Sequence, residues 1–307
     1  CTGMEAVRNA ALSIAAGEYD VVLAVGVEKM RDLSATKSRY WLGVSGDTEY
    51  ERLAGLTFAG IYACIAARYM HEYGLTKKHL AMVAVKNHEN GALNPKAHLR
   101  REITVEQAVD APIIAWPLGL YDCCGVSDGA AAAIITRPEI AKKLRVDPVY
   151  VKALQIATAS GEEMMYPGWD GTRVETTCRA AERAYREAGI KNPREELSLL
   201  EVHDCFSITE MVTYEDLQIS PRGRAREDIE AGFYDLDGRI PCQPDGGLKC
   251  FGHPIGASGL RMIYEVYKQL QGKAGPRQVK NPRLGLTHNL GGFPLMSVCS
   301  IVILGNE

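Results

Sequence analysis

Leu199-Leu200-Glu201-Val202-His203-Asp204-Cys205-Phe206-Ser207 runs from a short apolar stretch directly into reactive side chains. Leu199 to Val202 reads as a buried strand, and residues 207–217 carry the apolar spacing of a helix. A strand that ends on functional residues and hands over to a helix presents those side chains from a rigid base. The same alternation recurs outward in both directions. Toward the N-terminus, residues 4–16 are helical in pattern with Gly17 as a stop, and Val21 to Val25 reads as a strand buried on both faces. Helical stretches follow near 58–72 and 77–89. Then come strands at 130–136 and 149–158 and a helix at 173–188. Toward the C-terminus, a Gly/Pro-rich loop leads into a helix over 255–271, and β-type runs follow at 284–286 and 298–304. This predicts an α/β architecture with covered sheets. The best boundary lies near 137–148 and divides the chain into 1–147 and 148–307. The first part holds a mixed polar region at about 31–120, with turn chemistry at Asn87-His88-Glu89-Asn90-Gly91 and Asn94-Pro95. No internal repeat is visible.

Composition narrows the function. The 307 residues are 46% hydrophobic and 24% charged, which fits a globular protein with a large core. A net charge of -3 gives no basic footprint for nucleic acid. No apolar run approaches the ~18 residues of a spanning helix, and no leader-like segment opens the chain, so no membrane role is expected. The start at Cys1 rather than Met reads as a truncation. Nine scattered cysteines, an odd number, argue against a disulfide framework and for a reducing cytoplasm. Cys250 and His253 have C-x-x-H spacing near Cys242, but a second close pair is missing, so no metal site is expected.

Three segments carry candidate chemistry. In the first, His203 and Cys205 can reach one pocket once the strand has ended; a solvated His beside a buried Cys is the plainer alternative. The second is Gly246-Gly247-Leu248-Lys249-Cys250-Phe251-Gly252-His253-Pro254-Ile255-Gly256-Ala257-Ser258-Gly259. Its glycines permit close backbone approach and Pro254 stiffens the loop beside His253. It is not a P-loop, because the Gly-x4-Gly-Lys-Ser/Thr order is absent. The third is Thr287-His288-Asn289-Leu290-Gly291-Gly292, between the last two strands, either a source of backbone donors to an oxyanion or an ordinary hairpin connection.

These segments, in this order and spacing, resemble the thiolase superfamily, in particular its sterol-carrier-protein-2-type branch. H-D-C-F at 203–206, G-H-P at 252–254 and H-N-L-G at 288–291 carry the resemblance. Thr2-Gly3, the stretch from Gly17 to Met30 and Ser127-Asp128-Gly129-Ala130-Ala131-Ala132 add to it. The resemblance implies a layered αβαβα thiolase fold of two similar halves, the N-terminal half being incomplete. It implies an acyl-CoA C-acyltransferase that condenses or cleaves 3-ketoacyl-CoA through a cysteine thioester. His253 is similar to the residue that removes the thiol proton. Many relatives place a second acid/base Cys in a C-x-G motif; here those positions read Asn289-Leu290-Gly291, and Cys205 is the substitute. His203 and His253 are expected to form one oxyanion hole, and the backbone N–H groups of Gly291 and of the nucleophile the other; Asn289 lies with them at the substrate. The family pattern puts Cys1 in the small-residue slot after the nucleophile, so the nucleophile is expected to precede Cys1; a one-residue deletion would make it Cys1 itself.

Further expectations follow. Coenzyme A is substrate and product, with no permanently bound cofactor. The protein is expected to be a homodimer or homotetramer, working in some relatives beside a small zinc-containing OB-fold protein. Cys123 and Cys124 are read as small buried residues near the site. Lys86, Lys96 and Arg100 are candidates for CoA phosphates, against a solvated face. Met164, Met165, Tyr166 and Trp169 are candidates for an acyl pocket, against plain packing. The competing readings are a condensing enzyme of ketoacyl synthase or hydroxymethylglutaryl-CoA synthase type, and a non-catalytic acyl-CoA-binding subunit.

Overall fold

A computed structural model describes residues 1–160 and 169–307. Met164, Met165 and Tyr166 therefore lie outside the described residues. Helix α1 (Thr2–Ala15) buries Gly3, Met4, Val7, Ala10 and Ile14, a single stripe at helical spacing. Strand β1 (Val21–Glu28) follows. The chain then runs through α2 (Ala35–Leu42), α3 (Phe58–Tyr73), α4 (Lys77–Ala92), α5 (Val105–Val109) and the short strands β2 (Ile113–Ala115) and β3 (Leu118–Gly119). It returns in β4 (Gly129–Thr136), which pairs antiparallel with β1 from Val21 opposite Thr136 to Glu28 opposite Gly129. Helix α6 (Pro138–Leu144) leads out.

The second part begins with β5 (Tyr150–Thr158), α7 (Glu175–Ala188) and α8 (Pro193–Glu196). It continues through β6 (Leu199–Glu201), α9 (Ser207–Asp216), α10 (Ala225–Glu230), α11 (Gly247–Cys250) and α12 (Ile255–Leu270). Strands β7 (Leu284–Gly291) and β8 (Val298–Gly305) complete a sheet of order β5-β8-β7-β6, in which only β6 and β7 are parallel. Helices α1 and α12 pack on each other and form the layer between the two sheets, touching β1 and β4 on one side and β7 and β8 on the other. Helix α7 covers the far face of the larger sheet along β5 and β8. Because α12 grows out of the loop that carries His253, this central layer fixes where that residue stands.

Gly26 shows how closely the layers meet. A Cβ there would stand 2.2 Å from the carbonyl oxygen of Gly256, so β1 crosses the start of α12 at backbone distance. Glu28 then accepts a hydrogen bond from the Gly256 N–H at 2.9 Å.

Three sequence expectations change. The apolar run at 21–25 is not buried on both faces: Val21, Leu23, Val25 and Val27 are exposed, and only the Ala24 and Gly26 side is fully covered. Residues 87–91 are not a turn but lie inside α4. Asn side chains usually compete with the helix backbone for hydrogen bonds. Here Asn87 donates to the carboxylates of Asp204 and Glu210, and Asn90 to the carbonyl of Gln243, so neither competes. Finally, β7 does not stop at Leu286 but continues to Gly291, so H-N-L-G is strand rather than hairpin connection, paired residue by residue with β8.

Candidate active site

The end of β6, the loop before α12, the end of β7 and the N-terminus of α1 converge. His203 and His253 meet edge to face, with ring centroids 5.1 Å apart and planes at 81°. Their neighbours decide where each ring carries its proton. The Ser258 hydroxyl donates to the Pro254 carbonyl at 3.0 Å. Its oxygen, 2.7 Å from His253 Nδ1, therefore accepts, which puts the His253 proton on Nδ1 and leaves a lone pair on Nε2. His203 is the opposite case. Asn289 Nδ2 donates to His203 Nδ1 at 2.9 Å, so the His203 proton sits on Nε2. The backbone N–H of His203 donates to His288 Nδ1 at 3.3 Å, and His288 Nε2 in turn faces the Thr177 hydroxyl at 3.0 Å. One imidazole thus offers a lone pair and the other an N–H.

All three rings are held neutral. Burial, with Arg261 adding to it, pulls His253 down to about 3. Burial alone takes His288 to about 3. His203 falls well below its ordinary value through burial and the neighbouring rings of His253 and His288.

Cys205 is buried beside them. Its thiol lies 3.5 Å from the Thr209 hydroxyl and hydrogen-bonds that of Tyr62. Burial pushes the thiol up to about 12, with Thr209 opposing and Asp204 adding. At neutral pH Cys205 is thus a protonated thiol, a proton donor rather than a ready nucleophile. Cys124 donates its backbone N–H to the Cys205 carbonyl at 2.9 Å, which sets the Cys123-Cys124 pair next to the site. Tyr62 lies over Phe206 at 5.0 Å, and Phe58 meets Phe293 edge to face at 4.6 Å.

Cys1 turns its thiol away from the imidazoles, toward the carbonyl oxygens of Asn289 and Val298, each at 3.0 Å. Its backbone nitrogen lies toward the end of β7. A Cβ on Gly291 would stand 3.2 Å from that nitrogen, so the end of β7 lines the same spot.

Other candidates fall elsewhere. Lys86 is not on a solvated face: it is buried and paired with Glu210. Lys96 bonds the Tyr264 hydroxyl at 3.0 Å, and Arg100 reaches the Pro95 carbonyl at 3.4 Å from an exposed position. Trp169 donates to the Arg173 carbonyl at 2.8 Å. Among the described residues no cluster of His, Cys, Asp or Glu has metal-holding geometry. Sequence reasoning gave no role to Ser258, Thr209, Tyr62 or His288. Ser258 had a readable signal, one helical turn after Pro254; Tyr62 had none, since it arrives from α3 far along the chain.

Comparison with known proteins agrees across the chain. The profile described as "Thiolase, N-terminal domain" matches residues 1–139, and "Thiolase C-terminal domain-like" matches 157–306. An acetyl-CoA acetyltransferase of Methanothermobacter thermautotrophicus is 43% identical over 95% of this chain and 74% of its own length. Sterol carrier protein 2 of Gallus gallus is 32% identical over 94% of this chain and 54% of its own. Among solved structures, an Ltp2-ChsH2(DUF35) aldolase superposes with a TM-score of 0.83 at 27% identity, covering 99% of this chain and 77% of that one.

Proposed function

The chain belongs to the thiolase family, and from that premise we propose that it is an acyl-CoA C-acyltransferase, with His203, Cys205 and His253 as its acid/base and oxyanion groups. The opposed protonation of the two imidazoles carries the reading: a lone pair on His253 Nε2 and an N–H on His203 Nε2 are the two things acyl transfer through a thiol needs.

In the cleavage direction, His253 Nε2 takes the proton of the nucleophilic thiol, and the thiolate attacks the 3-keto carbon of the substrate. Negative charge on that oxygen is stabilised by a donor in the hole lined by Gly291. The bond between C2 and C3 breaks, and the electron pair left on C2 takes the Cys205 proton, releasing the shortened CoA thioester. While C2 carries the charge, His203 Nε2–H donates to the adjoining CoA thioester oxygen. The thiol of free CoA then attacks the acyl-enzyme, giving its proton to the Cys205 thiolate, and the bond to the nucleophilic sulfur breaks as that sulfur takes its proton back from His253. Condensation is the reverse. Because the protonated state of Cys205 is the stable one, it enters cleavage already loaded.

The nucleophile belongs at the position joined to the Cys1 amino nitrogen. The Cys1 nitrogen lies beside Gly291, and the Cys1 thiol is taken up by two carbonyl oxygens, which supports a nucleophile other than Cys1 itself. Coenzyme A acts as substrate and product without a permanent cofactor. No helix among the described residues is long and apolar enough to cross a membrane, and we assign the enzyme to the cytoplasm as a homodimer or homotetramer. The two-component name of the superposed aldolase supports a second protein component beside this chain, and we propose a small OB-fold protein in that place.

The test is CoA-dependent cleavage of acetoacetyl-CoA and longer 3-ketoacyl-CoAs by the full-length protein, with Cys205→Ala and His253→Ala alongside. Turnover that collapses in both variants is expected. A folded protein with no turnover on any of these substrates would replace this reading with an acyl-CoA-binding subunit. Turnover only with malonyl thioesters would replace it with a decarboxylating condensing enzyme.

A further inference from the structure

Directly behind the catalytic turn lies a group of buried charges that none of the steps above uses. Asp204, between His203 and Cys205, is fully buried. Its carboxylate accepts the backbone N–H of Leu248 at 2.6 Å and that of Lys249 at 3.3 Å, both in α11, the short helix that leads to His253. Lys249 Nζ, also buried, binds the Asp204 carboxylate at 3.3 Å and the Asp204 backbone carbonyl at 3.2 Å; that carbonyl belongs to the peptide leading into Cys205. From a third direction, Asn87 on α4 donates one amide to Asp204 at 3.0 Å and to Glu210 at 2.7 Å. Glu210, on the helix after Cys205, is paired with Lys86. The loop is shaped for this contact. Gly247 adopts φ +64°, and a Cβ there would come within 2.5 Å of the Asp204 carboxylate.

We propose that Asp204 is a positioning residue for acyl transfer, its carboxylate joining the turn that carries His203 and Cys205 to the loop that carries His253. The proposal rests on the acyl-transfer reading for its kinetic consequence. Its geometric content stands without it. Taking two ammonium groups and two carboxylates out of water together is costly, and apolar side chains of similar volume would hold a core at least as firmly. What apolar packing does not supply is directional register. Acid/base catalysis needs its groups held to within about 0.5 Å, and a displacement of about 1 Å costs on the order of a hundredfold in rate. Asp204 supplies that register because its two oxygens take donors from two separate segments, Asn87 on α4 and Leu248-Lys249 on α11, while its own main chain places His203 and Cys205. Since none of these groups touches the reacting atoms, the effect is expected in kcat and in the histidine protonation pattern, not in substrate affinity.

The experiment compares parent, Asp204→Asn and the milder Asn87→Ala in the full-length protein, by thiolysis kinetics and by ¹⁵N spectra of the histidine side chains. Asp204→Asn keeps the shape and one acceptor oxygen but removes the charge; Asn87→Ala leaves the Leu248 and Lys249 contacts in place. The expected result is a kcat loss of at least about tenfold in Asp204→Asn, and a smaller loss in Asn87→Ala, with KM within about threefold of the parent. The His203 and His253 signals should move away from single tautomers. Folded variants with parental kcat and unmoved imidazole signals would overturn the proposal. So would a kcat loss with unmoved signals, since the loss would then arise elsewhere. If Asp204→Asn does not fold, Asn87→Ala decides by the same two readouts. If the parent shows no thiolysis, the functional reading fails and the histidine spectra alone decide the positioning role.

Discussion

Replacing Ser258 by Ala removes one oxygen and should disable a histidine that it does not itself replace. In the parent the Ser258 oxygen accepts from His253 Nδ1 at 2.7 Å, and its hydroxyl proton is engaged by the Pro254 carbonyl at 3.0 Å. In Ser258→Ala, His253 Nδ1–H is left buried without an acceptor, at a cost of about 1–3 kcal/mol. The other tautomer escapes that cost by turning its Nε2–H into the open site. The productive tautomer therefore falls in population by a factor of about 5 to 150, and kcat falls with it. KM should stay near the parental value, because the lost group touches no substrate. Fold stability should change little, since the Ser258 side chain lies in the first turn of α12 and Ala suits a helix. Steady-state thiolysis gives kcat and KM, and ¹⁵N spectra of the imidazoles read the tautomer directly. A folded Ser258→Ala enzyme with kcat within twofold of the parent, and with the proton still on His253 Nδ1, would refute the tautomer assignment.

Cys205→Ala should lower kcat by about 10² to 10⁴, the range for loss of a general acid/base, with the melting temperature nearly unchanged; a loss below tenfold would remove Cys205 from the mechanism. His288 is held neutral at about 3 in the fold, against about 6.5 in the unfolded chain. The unfolded state then binds more protons between those values. His288 contributes its stability in full above about pH 6.5 and loses about 1.4 kcal/mol per pH unit as pH falls toward 3. Urea midpoints of the parent should therefore fall more steeply from pH 6.5 to 4 than those of His288→Asn, which keeps an acceptor near the His203 N–H; parallel curves would contradict the assignment. Gly247→Ala sets a Cβ 2.5 Å from the Asp204 carboxylate at φ +64°. It should cost at least about 1–2 kcal/mol for the left-handed backbone alone, read as a lower urea midpoint, and an unchanged midpoint would count against the close contact.

Much of the candidate site was legible because its residues come in short runs tied to local structure. His203 and Cys205 follow a buried strand, His253 precedes a helix behind a Gly/Pro-rich loop, and both patterns are local. The misreadings share a cause. Asn87-His88-Glu89-Asn90-Gly91 has turn composition, but its Asn side chains are taken up by partners more than a hundred residues away, which frees the backbone to stay helical. Lys86 reads as a surface cation until Glu210 is brought to it from α9. His288-Asn289-Leu290-Gly291 ends in glycine like a turn, yet eight-residue pairing with β8 holds it in strand conformation.

The sequence by itself determined the α/β alternation and the family and singled out the candidate side chains, because those depend on periodicity and on residue types at short spacing. Only the tertiary structure decided what state each of those side chains is in. Which nitrogen of His203 and His253 carries a proton depends on Asn289 and Ser258, and whether Cys205 is thiol or thiolate depends on how deeply it is buried. A protonation state is a property of the surroundings, namely partners, charges and lost water, and those surroundings are assembled from segments that meet only in the fold.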